Sequence, residues 1–405
     1  MAQNIKRFST STDYLFIVLA SIVIFGLAAA ALMADYIFSL ITVLIIVIAL
    51  LILDKKGVIA NLFAIYIRHK KFAFLVTLVM MLIMPIILNT AGLYILRIAI
   101  LACLYSIIAL GLNFQMGSTD MTNFAAAAFF GIGAYATGIV SVKWGLNPWL
   151  GIPFAAVCAL ILGAIVGFPA LRTKGYYLSL VTMALQLVFT LALTNIDYVG
   201  GPDGITGLSA YSLFGLDFGT AHTVFGIKFN ANVLYLYLAM LLLLLAMYIA
   251  MRVNISRQGL ALNNVAQDET AANCLGINIT RQKMFAFCLG AVFCGIAGAV
   301  YGQFMMFVAP DDFDFNKSLI FICMVILGGM DNPVGVLVGA FLLTVINEKL
   351  RDFADYQMLF YGIILMTVLI ARPMGLISRR VRNYCDNYKL DIKKHVPEGE
   401  LEKEA

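Results

Sequence analysis

The sequence predicts an all-α polytopic membrane protein with roughly 10–12 transmembrane or half-membrane helices. Apolar residues make up 62% of the 405 residues and charged residues 12%, which is about half the charged fraction of a soluble domain. The apolar residues form long runs, and such runs specify helices rather than the alternating strands of a membrane barrel. Basic residues recur in the polar segments on one side of the resulting topology, as in cytoplasmic loops.

An amino-terminal extension, residues 1–91, is predicted to contain about three membrane spans. Apolar runs at 14–33 and 36–53 form a helical hairpin, and a third run covers 72–90. A cleaved signal peptide is the alternative for the first run, because small residues follow it. The apolar part of that run has membrane length rather than the shorter core of a signal. The basic segment 54–71 is expected in the cytoplasm.

Residues 92–376 form the predicted core. Gly328, Gly329 and Pro333 interrupt its last long apolar stretch, because glycine and proline continue a helix poorly. Two half-spans are therefore expected there. The predicted core spans are 92–113, 124–141, 149–168, 176–194, 232–251, 284–302, 318–330, 334–347 and 356–371.

This count places both termini in the cytoplasm, including a charged tail at 377–405. Arg172 and Lys174 also fall on the cytoplasmic side, in agreement with the positive-inside rule. Segments 195–231 and 303–317 fall outside. The chain is accordingly expected to be a multi-pass protein of a plasma or inner membrane.

Glycine organises the core in two ways. Small-x-x-x-small pairs allow membrane helices to approach closely, and glycine-rich interruptions at 113–135 and 326–340 fall in opposite halves of the core. Such interruptions can indicate a pore in which protein buries unwound backbone. The predicted close-packing pairs are Gly163/Gly167, Gly298/Gly302 and Gly335/Gly339.

Chemistry-bearing residues are sparse, and no catalytic or metal site is predicted. The three histidines fall in predicted loops or the tail, and the cysteines lack metal-ligand spacing. Ion-coupled transporters keep ionisable residues inside their spans, but only Arg97 and the borderline Asp120 and Asp197 qualify here. The sequence has no phosphate-binding loop and no nucleic-acid footprint. Uphill transport would therefore draw its energy from another subunit.

A polar stretch at 252–283 lies between two strongly apolar runs. Its middle, 263–275, has neither proline nor glycine and predicts one short helix, with Asn278 and Thr280 leading into the next span. Flanking basic residues place the stretch in the cytoplasm. It is either a solvated linker or a docking surface for a soluble partner.

Nine segments in order, across about 92–376, carry a family resemblance. The chain resembles the permease subunits of bacterial branched-chain amino-acid ABC importers, most closely the LivM branch of the LivH/LivM family. The segments are GLNFQMG (111–117), AAFFGIGAY (127–135), LRTKGYYLSLVTMA (171–184), GGPDGITGL (200–208), DETAANCLGINITRQKMFAF (268–287), AGAVYGQF (297–304), VAPDDFDF (308–315), VILGGMDNPVGVLVGA (325–340) and ARPMGL (371–376).

The resemblance implies an ABC importer permease fold and a set of partners. These are a LivH-like second permease, two cytoplasmic ATP-binding cassette ATPases and an external solute-binding protein. It also implies that this chain is a transport subunit rather than an enzyme. ATP and Mg²⁺ would then bind the ATPases, with no cofactor on this chain.

The resemblance also assigns a coupling motif. Glu269-Thr-Ala271-Ala272-x-x-x-Gly276 is similar to the E-A-A-x-x-x-G motif of ABC importers, with Thr270 where many members have alanine. Asp268 precedes the motif. A short helix would present Glu269 to an ATPase groove, and Gly276 would end the helix.

Two further sets of residues are assigned less directly. Gly201, Pro202, Asp203 and Gly204 form a candidate contact for the binding protein, with a purely structural turn as the alternative. The polar residues of the spans are candidates for lining the pathway. Their alternative is interhelical hydrogen bonding worth about 1 kcal/mol or less. The candidate pathway residues are Asn113, Asn123, Thr182 and Gln186.

Where many family members read L-S-L-G-H or N-F-A-H-G, residues 122–126 read Thr-Asn-Phe-Ala-Ala. The absent histidine leaves the substrate open. A branched-chain or related apolar amino acid is expected, with urea or short amides as the alternative for the same machinery. An ATP-independent channel or secondary carrier is the alternative from another class, and it predicts activity without any ATPase.

Overall fold

The computed structural model describes residues 10–34, 36–55, 62, 65–66, 68–170, 176–213, 216–224, 227–351, 356–372 and 375–377. Within these ranges, eight helical segments are long and apolar enough to cross a membrane. The fold is therefore that of an all-α polytopic membrane protein, as predicted. The predicted cytoplasmic residues Arg172 and Lys174, and the tail after residue 377, lie outside the described residues.

Helices account for nearly all of the regular structure of the described residues. The helical backbone of the core is interrupted in two places. The bounds of the helices agree with the predicted spans to within a few residues, apart from the end of the fourth helix. In chain order the helices are α1 (Thr10–Met33), α2 (Tyr36–Lys55), α3 (Lys70–Asn89), α4 (Leu93–Thr119), α5 (Ala126–Gly138), α6 (Gly151–Ala170), α7 (Tyr176–Asn195), α8 (Val233–Ile255), α9 (Arg257–Gln267), α10 (Glu269–Cys274), α11 (Ile279–Met305), α12 (Phe315–Gly328), α13 (Pro333–Lys349) and α14 (Gln357–Ala371).

Contacts between helix ends show the alternating direction of the chain. Near the start of α1, Asp13 forms an ion pair with Arg68, just before α3 begins. At the opposite end of the bundle, Nζ of Lys349 donates to the carbonyl O of Ala34 at 2.8 Å. The extension and the core are thus packed into one bundle.

Helix α11 is the centre of the bundle and packs against α4, α5 and α6. Glycine makes this close approach possible, because a Cβ on Gly298 would overlap the carbonyl O of Phe130, and one on Gly133 would overlap that of Gly295. The predicted small-x-x-x-small pairs all lie against a neighbouring helix, which confirms their role in packing.

Helix α4 extends to Thr119, six residues beyond the predicted end at 113. The prediction was wrong because the polar residues that follow 113 suggested a helix end. These residues are buried, and their side chains have partners inside the protein: the hydroxyl of Thr119, for example, donates to the carbonyl O of Gln115 at 2.8 Å. Asp120 then stops the helix in the left-handed conformation, with φ +52°.

The second predicted interruption is confirmed. Helix α12 ends at Gly328, four residues follow in non-helical backbone, and Pro333 is the first residue of α13. The first position of a helix suits proline, because its N–H would have no partner there. The side chain of Asn332 caps α13 by accepting from the backbone N–H of Val334 at 3.2 Å.

The segment between α7 and α8, which was predicted to be external, contains short two-stranded pairs that the sequence did not predict. Strand β1 (Ile205–Thr206) pairs antiparallel with β6 (Phe307–Val308), which joins this segment to the one after α11. The other pairs are β2 (Ser212–Leu213) with β3 (Leu216–Asp217), and β4 (His222–Val224) with β5 (Ile227–Phe229).

Candidate functional site

The middle of the polar stretch 252–283 folds as two helices, α9 and α10, and not as the single helix predicted over 263–275. Asp268 separates them with extended backbone, at φ −156° and ψ 114°. Its Oδ1 accepts from the backbone N–H of Thr270 at 2.7 Å and of Ala271 at 3.1 Å. The prediction failed because an aspartate that satisfies these N–H groups starts a new helix more favourably than it continues one.

Helix α10 ends as the motif predicts. Gly276 adopts φ +77°, and its N–H donates to the carbonyl O of Asn273. The N–H of Ile277 reaches the carbonyl O of Ala272 at 3.1 Å, which completes a Schellman motif. Asn278 then caps α11, accepting from the N–H of Arg281 at 3.0 Å. Both ends of α10, a helix of six residues, are therefore defined by side-chain or backbone hydrogen bonds.

The two faces of α10 differ. Ala272 is buried against the protein, whereas Asp268, Glu269 and Ala271 are exposed. Oε1 of Glu269 accepts from Nζ of Lys283 at 2.6 Å, and the Glu269 side chain remains 50% exposed. A short helix with a small buried face and a carboxylate on its open side is suited to fit into a groove of a partner.

Helix α9 supports α10 from the membrane side. Leu262 and Val265 are buried, and α9 packs against α4 and α11. Gly259 lies where a Cβ would overlap the carbonyl O of Val253 at the end of α8. The loop is thus an ordered platform on the core and not a solvated linker.

The four candidate pathway residues cluster around the interruption between α4 and α5. Gln186 is fully buried; its Oε1 accepts from the N–H of Ala128 at 2.7 Å, and its Nε2 donates to the carbonyl O of Phe313 at 2.7 Å. Thr182, also fully buried, accepts from the N–H of Phe124 at 3.1 Å. Two residues of α7 thereby satisfy backbone donors at the start of α5.

Asn123 and Asn113 also accept hydrogen bonds from backbone N–H groups. Asn123 donates to Oε1 of Gln115 at 2.8 Å and accepts from the N–H of Ala125 at 2.8 Å. Asn113 accepts from the N–H of Asp331 at 2.8 Å and so joins the first interruption to the second. The interhelical hydrogen bonding considered from sequence is therefore present for these residues. A role in lining the pathway stays a prediction.

The turn that contains Gly201, Pro202, Asp203 and Gly204 is tightly wound. Gly201 and Gly204 have φ of +56° and +71°, and a Cβ on Gly204 would overlap the carbonyl O of Val308. Pro202 and Asp203 project as exposed residues from a 3₁₀ turn. The geometry gives the turn a structural role in the clamp formed by β1 and β6, and it leaves two side chains accessible to a partner.

Sequence reasoning considered only Arg97, Asp120 and Asp197 for the spans, and it missed ionisable residues that are buried beside the last two half-spans. Asp331 is 5% exposed and Lys349 7% exposed. They were assigned to connections because the predicted half-spans ended at 330 and 347. The helix-capping asparagine after Asp331 was the available signal, since it places the start of the next helix directly after Asp331.

Lys317 was missed for the same reason, since the half-span was predicted to start at 318. Its Nζ lies 5.5 Å from the centre of the Tyr301 ring, a cation–π arrangement. Asp314 caps the helix by accepting from the Lys317 N–H at 2.9 Å. Across the described residues, no cluster of three or more histidine, cysteine or carboxylate side chains is arranged to hold a metal ion.

Comparison with known proteins identifies a family to which this chain is similar. The family described as branched-chain amino acid transport system / permease component matches residues 94–369. The permease protein LivM of the high-affinity branched-chain amino acid transport system is 35% identical in Salmonella typhimurium and 36% identical in Escherichia coli K12, over 293 residues that cover 69% of each chain.

A second subunit type is also similar. LivH of Escherichia coli K12 is 25% identical over 286 residues, which are 68% of this chain and 91% of that protein. No solved structure matches the chain. From the match over 94–369 and the two LivM relatives, the chain belongs to the family of branched-chain amino acid transport system permease components.

Proposed function

We propose that this chain is the membrane permease subunit of an ATP-driven importer of branched-chain or related apolar amino acids. The observation that carries the proposal is α10, a short helix capped at both ends that presents the Glu269 carboxylate on the polar face of a membrane bundle. A channel or secondary carrier has no need of such a docking helix. The family assignment supports the choice of substrate.

The partners proposed for this chain follow from its similarity to both LivM and LivH. One LivH-like permease pairs with it, and two ATP-binding cassette ATPases bind beneath the pair, where they hold ATP and Mg²⁺. An external solute-binding protein delivers the amino acid. This division of labour agrees with the absence of a phosphate-binding loop from the sequence.

The proposed orientation places α9 and α10 in the cytoplasm of a bacterial cell, beneath its inner membrane. Arg252, Arg257, Arg281 and Lys283 all lie in this stretch, and cytoplasmic loops are enriched in such residues. The start of α1 then also faces the cytoplasm, because the eight helices α1 to α8 precede α9, and an even number of crossings returns the chain to the same side. The strand clamp of β1 and β6 faces outward, with Pro202 and Asp203 available to the binding protein.

ATP-driven closure of the ATPases would move α10 and, through the core, open the pathway alternately to each side. Asn113, Asn123, Thr182 and Gln186 hold the interrupted backbone around which such a movement takes place. Their amide and hydroxyl groups already form hydrogen bonds within the bundle, so these residues would shape the pathway by holding that backbone in place. Selection of the substrate then rests mainly with the external protein.

The first experiment is a mild-detergent purification of the native protein, with mass spectrometry of the proteins that remain bound. A second permease and two kinds of ATPase are expected. The accompanying binding protein is then assayed with leucine, isoleucine, valine and urea, which separates amino-acid import from amide import. Recovery of this chain alone, with solute flux in liposomes that needs no ATP, would contradict the proposal.

Glu269→Arg tests the docking role of α10. The variant is expected to fold and reach the membrane, because Glu269 is half exposed, but to lose ATPase association and uptake by at least about tenfold, since a carboxylate is replaced by a charge of opposite sign. Thr280→Arg is the control: it introduces the same arginine side chain at an exposed position of α11. Unchanged co-purification and uptake in Glu269→Arg would exclude α10 as the docking helix.

A further inference from the structure

The ion pair between Glu269 and Lys283 joins the docking helix to the central helix of the bundle. Glu269 is the first residue of α10, and Lys283 lies in the second turn of α11. Their side chains meet at 2.6 Å, with Lys283 only 14% exposed and Glu269 50% exposed. The lysine is therefore largely covered, while the carboxylate lies at the surface between the lysine and the solvent.

This arrangement leaves part of the carboxylate available. Oε1 of Glu269 accepts from Lys283, and among the described residues no other side chain hydrogen-bonds to this carboxylate. A carboxylate has two oxygens and about four acceptor positions. Glu269 can therefore hold Lys283 and a cationic group of a partner at the same time.

Helix α11 is the element through which a displacement at this point reaches the core. It runs from Ile279 to Met305 and packs against α4, α5 and α6. Backbone contacts at Gly133 and Gly298 leave no space for these helices to move independently. Close-packed interiors transmit a displacement instead of absorbing it.

The covalent connection between α10 and α11 is the first link between these helices. It consists of residues 275–278, turns through Gly276 in the left-handed conformation and is closed by the Schellman hydrogen bonds. The ion pair between Glu269 and Lys283 joins the same two helices through side chains. It is therefore a second link, which can be removed without changing the backbone turn.

We propose that Lys283 is a positioning residue that transmits the movement of the ATPases from α10 to α11 through the Glu269 carboxylate. The inference rests on the proposed function, because it presupposes that an ATPase docks on α10. It adds a specific role for a residue that lies outside the coupling motif. Docking and transmission are separable: Glu269 serves both, and Lys283 serves only transmission.

Lys283→Met tests this role, because methionine keeps most of the apolar stem and removes the ammonium. In reconstituted liposomes with ATPases and binding protein, the variant is expected to keep its ATPases and hydrolyse ATP within about twofold of wild type. The amount of amino acid imported per ATP is expected to fall about fivefold or more, the lower range of an allosteric coupling. Lys283→Arg keeps the charge and is expected to restore most of the import.

Arg281→Met is the matched control, since Arg281 is exposed on the same turn of α11 and forms no ion pair with any described residue. Import per ATP equal to wild type in Lys283→Met would overturn the inference. So would loss of the ATPases from that variant, because Lys283 would then act in docking. Retention of the ATPases by Glu269→Arg would instead refute the docking proposal, so the two failures are distinguishable. If Lys283→Met does not reach the membrane, Lys283→Gln is measured by the same ratio and judged by the same two outcomes.

Discussion

Single polar side chains hold the interrupted backbone of this protein. In a membrane interior, an unpaired N–H or C=O group costs several kcal/mol, so each break in a helix needs partners from elsewhere in the chain. Gln186 supplies them to Ala128 and Phe313, which are 58 and 127 residues away. The sequence identified Gln186 as polar within a span. It did not identify the partners, because they come together only when α5, α7 and the segment before α12 pack.

Gln186→Leu is expected to destabilise the protein by about 1–3 kcal/mol, because it leaves the N–H of Ala128 and the carbonyl of Phe313 buried without that partner. The measurement is the thermal unfolding midpoint in detergent, together with uptake of several amino acids. All substrates are expected to lose uptake in proportion to the loss of folded protein. Thr194→Val is the control in the same helix, since all hydrogen-bond partners of the Thr194 hydroxyl lie within α7: it donates to carbonyls of that helix and accepts from Nδ2 of Asn195. A stable Gln186→Leu protein with altered selectivity would instead assign the residue to the pathway.

At the scale of elements, the structure of the polar stretch 252–283 depends on two residues that start or end its helices. Asp268 ends one helix and begins another, and Gly276 ends the second helix in the left-handed conformation. The sequence predicted the helix end at Gly276 but not the helix start at Asp268, because absence of proline and glycine favours a continuous helix. The aspartate changes the outcome through hydrogen bonds to Thr270 and Ala271, which a propensity argument does not include.

Helix packing in the core depends on glycine contacts between α5 and α11. Gly298→Ala is expected to destabilise the protein by about 1–3 kcal/mol, because the added methyl group overlaps the backbone of Phe130, which cannot move without displacing α5. The midpoint of thermal unfolding in detergent measures the effect.

Gly362→Ala, in the middle of α14, is the matched control for that substitution. A Cβ at this position meets no atom within 4 Å, and alanine favours a helix over glycine by about 0.5–1 kcal/mol. This variant is expected to be as stable as wild type or slightly more stable. Equal stability of Gly298→Ala and wild type would show that α5 and α11 do not pack as closely as described.

At the scale of the whole molecule, the order of helices and the asymmetry of charge predict one orientation in the membrane. Asn230 bonds to Asn89 at the end that carries the strand clamp, and α9 and α10 lie at the opposite end with a cluster of basic residues. A positive-inside orientation therefore places the clamp outside.

Reporter fusions test this orientation. A reporter joined after Gly207, directly after β1, is expected to report an external position, and one joined after Asn264, in α9, a cytoplasmic position. Both fusions are made at points on the polar surface of the bundle, so the spans before them insert normally. The opposite pattern would reverse the topology and remove the basis for ATPase docking on α10.

The sequence by itself determined the class of the fold, the approximate bounds of most spans, the two interruptions and the family. These properties depend on composition, on apolar run length and on motifs in which neighbouring residues act together. Tertiary structure alone decided that α4 continues to Thr119, that Gln186 and Asn113 bind distant backbone, and that Lys283 meets Glu269. The physical reason is that burial and pairing of a polar group depend on which elements pack beside it, and those elements are distant in the sequence.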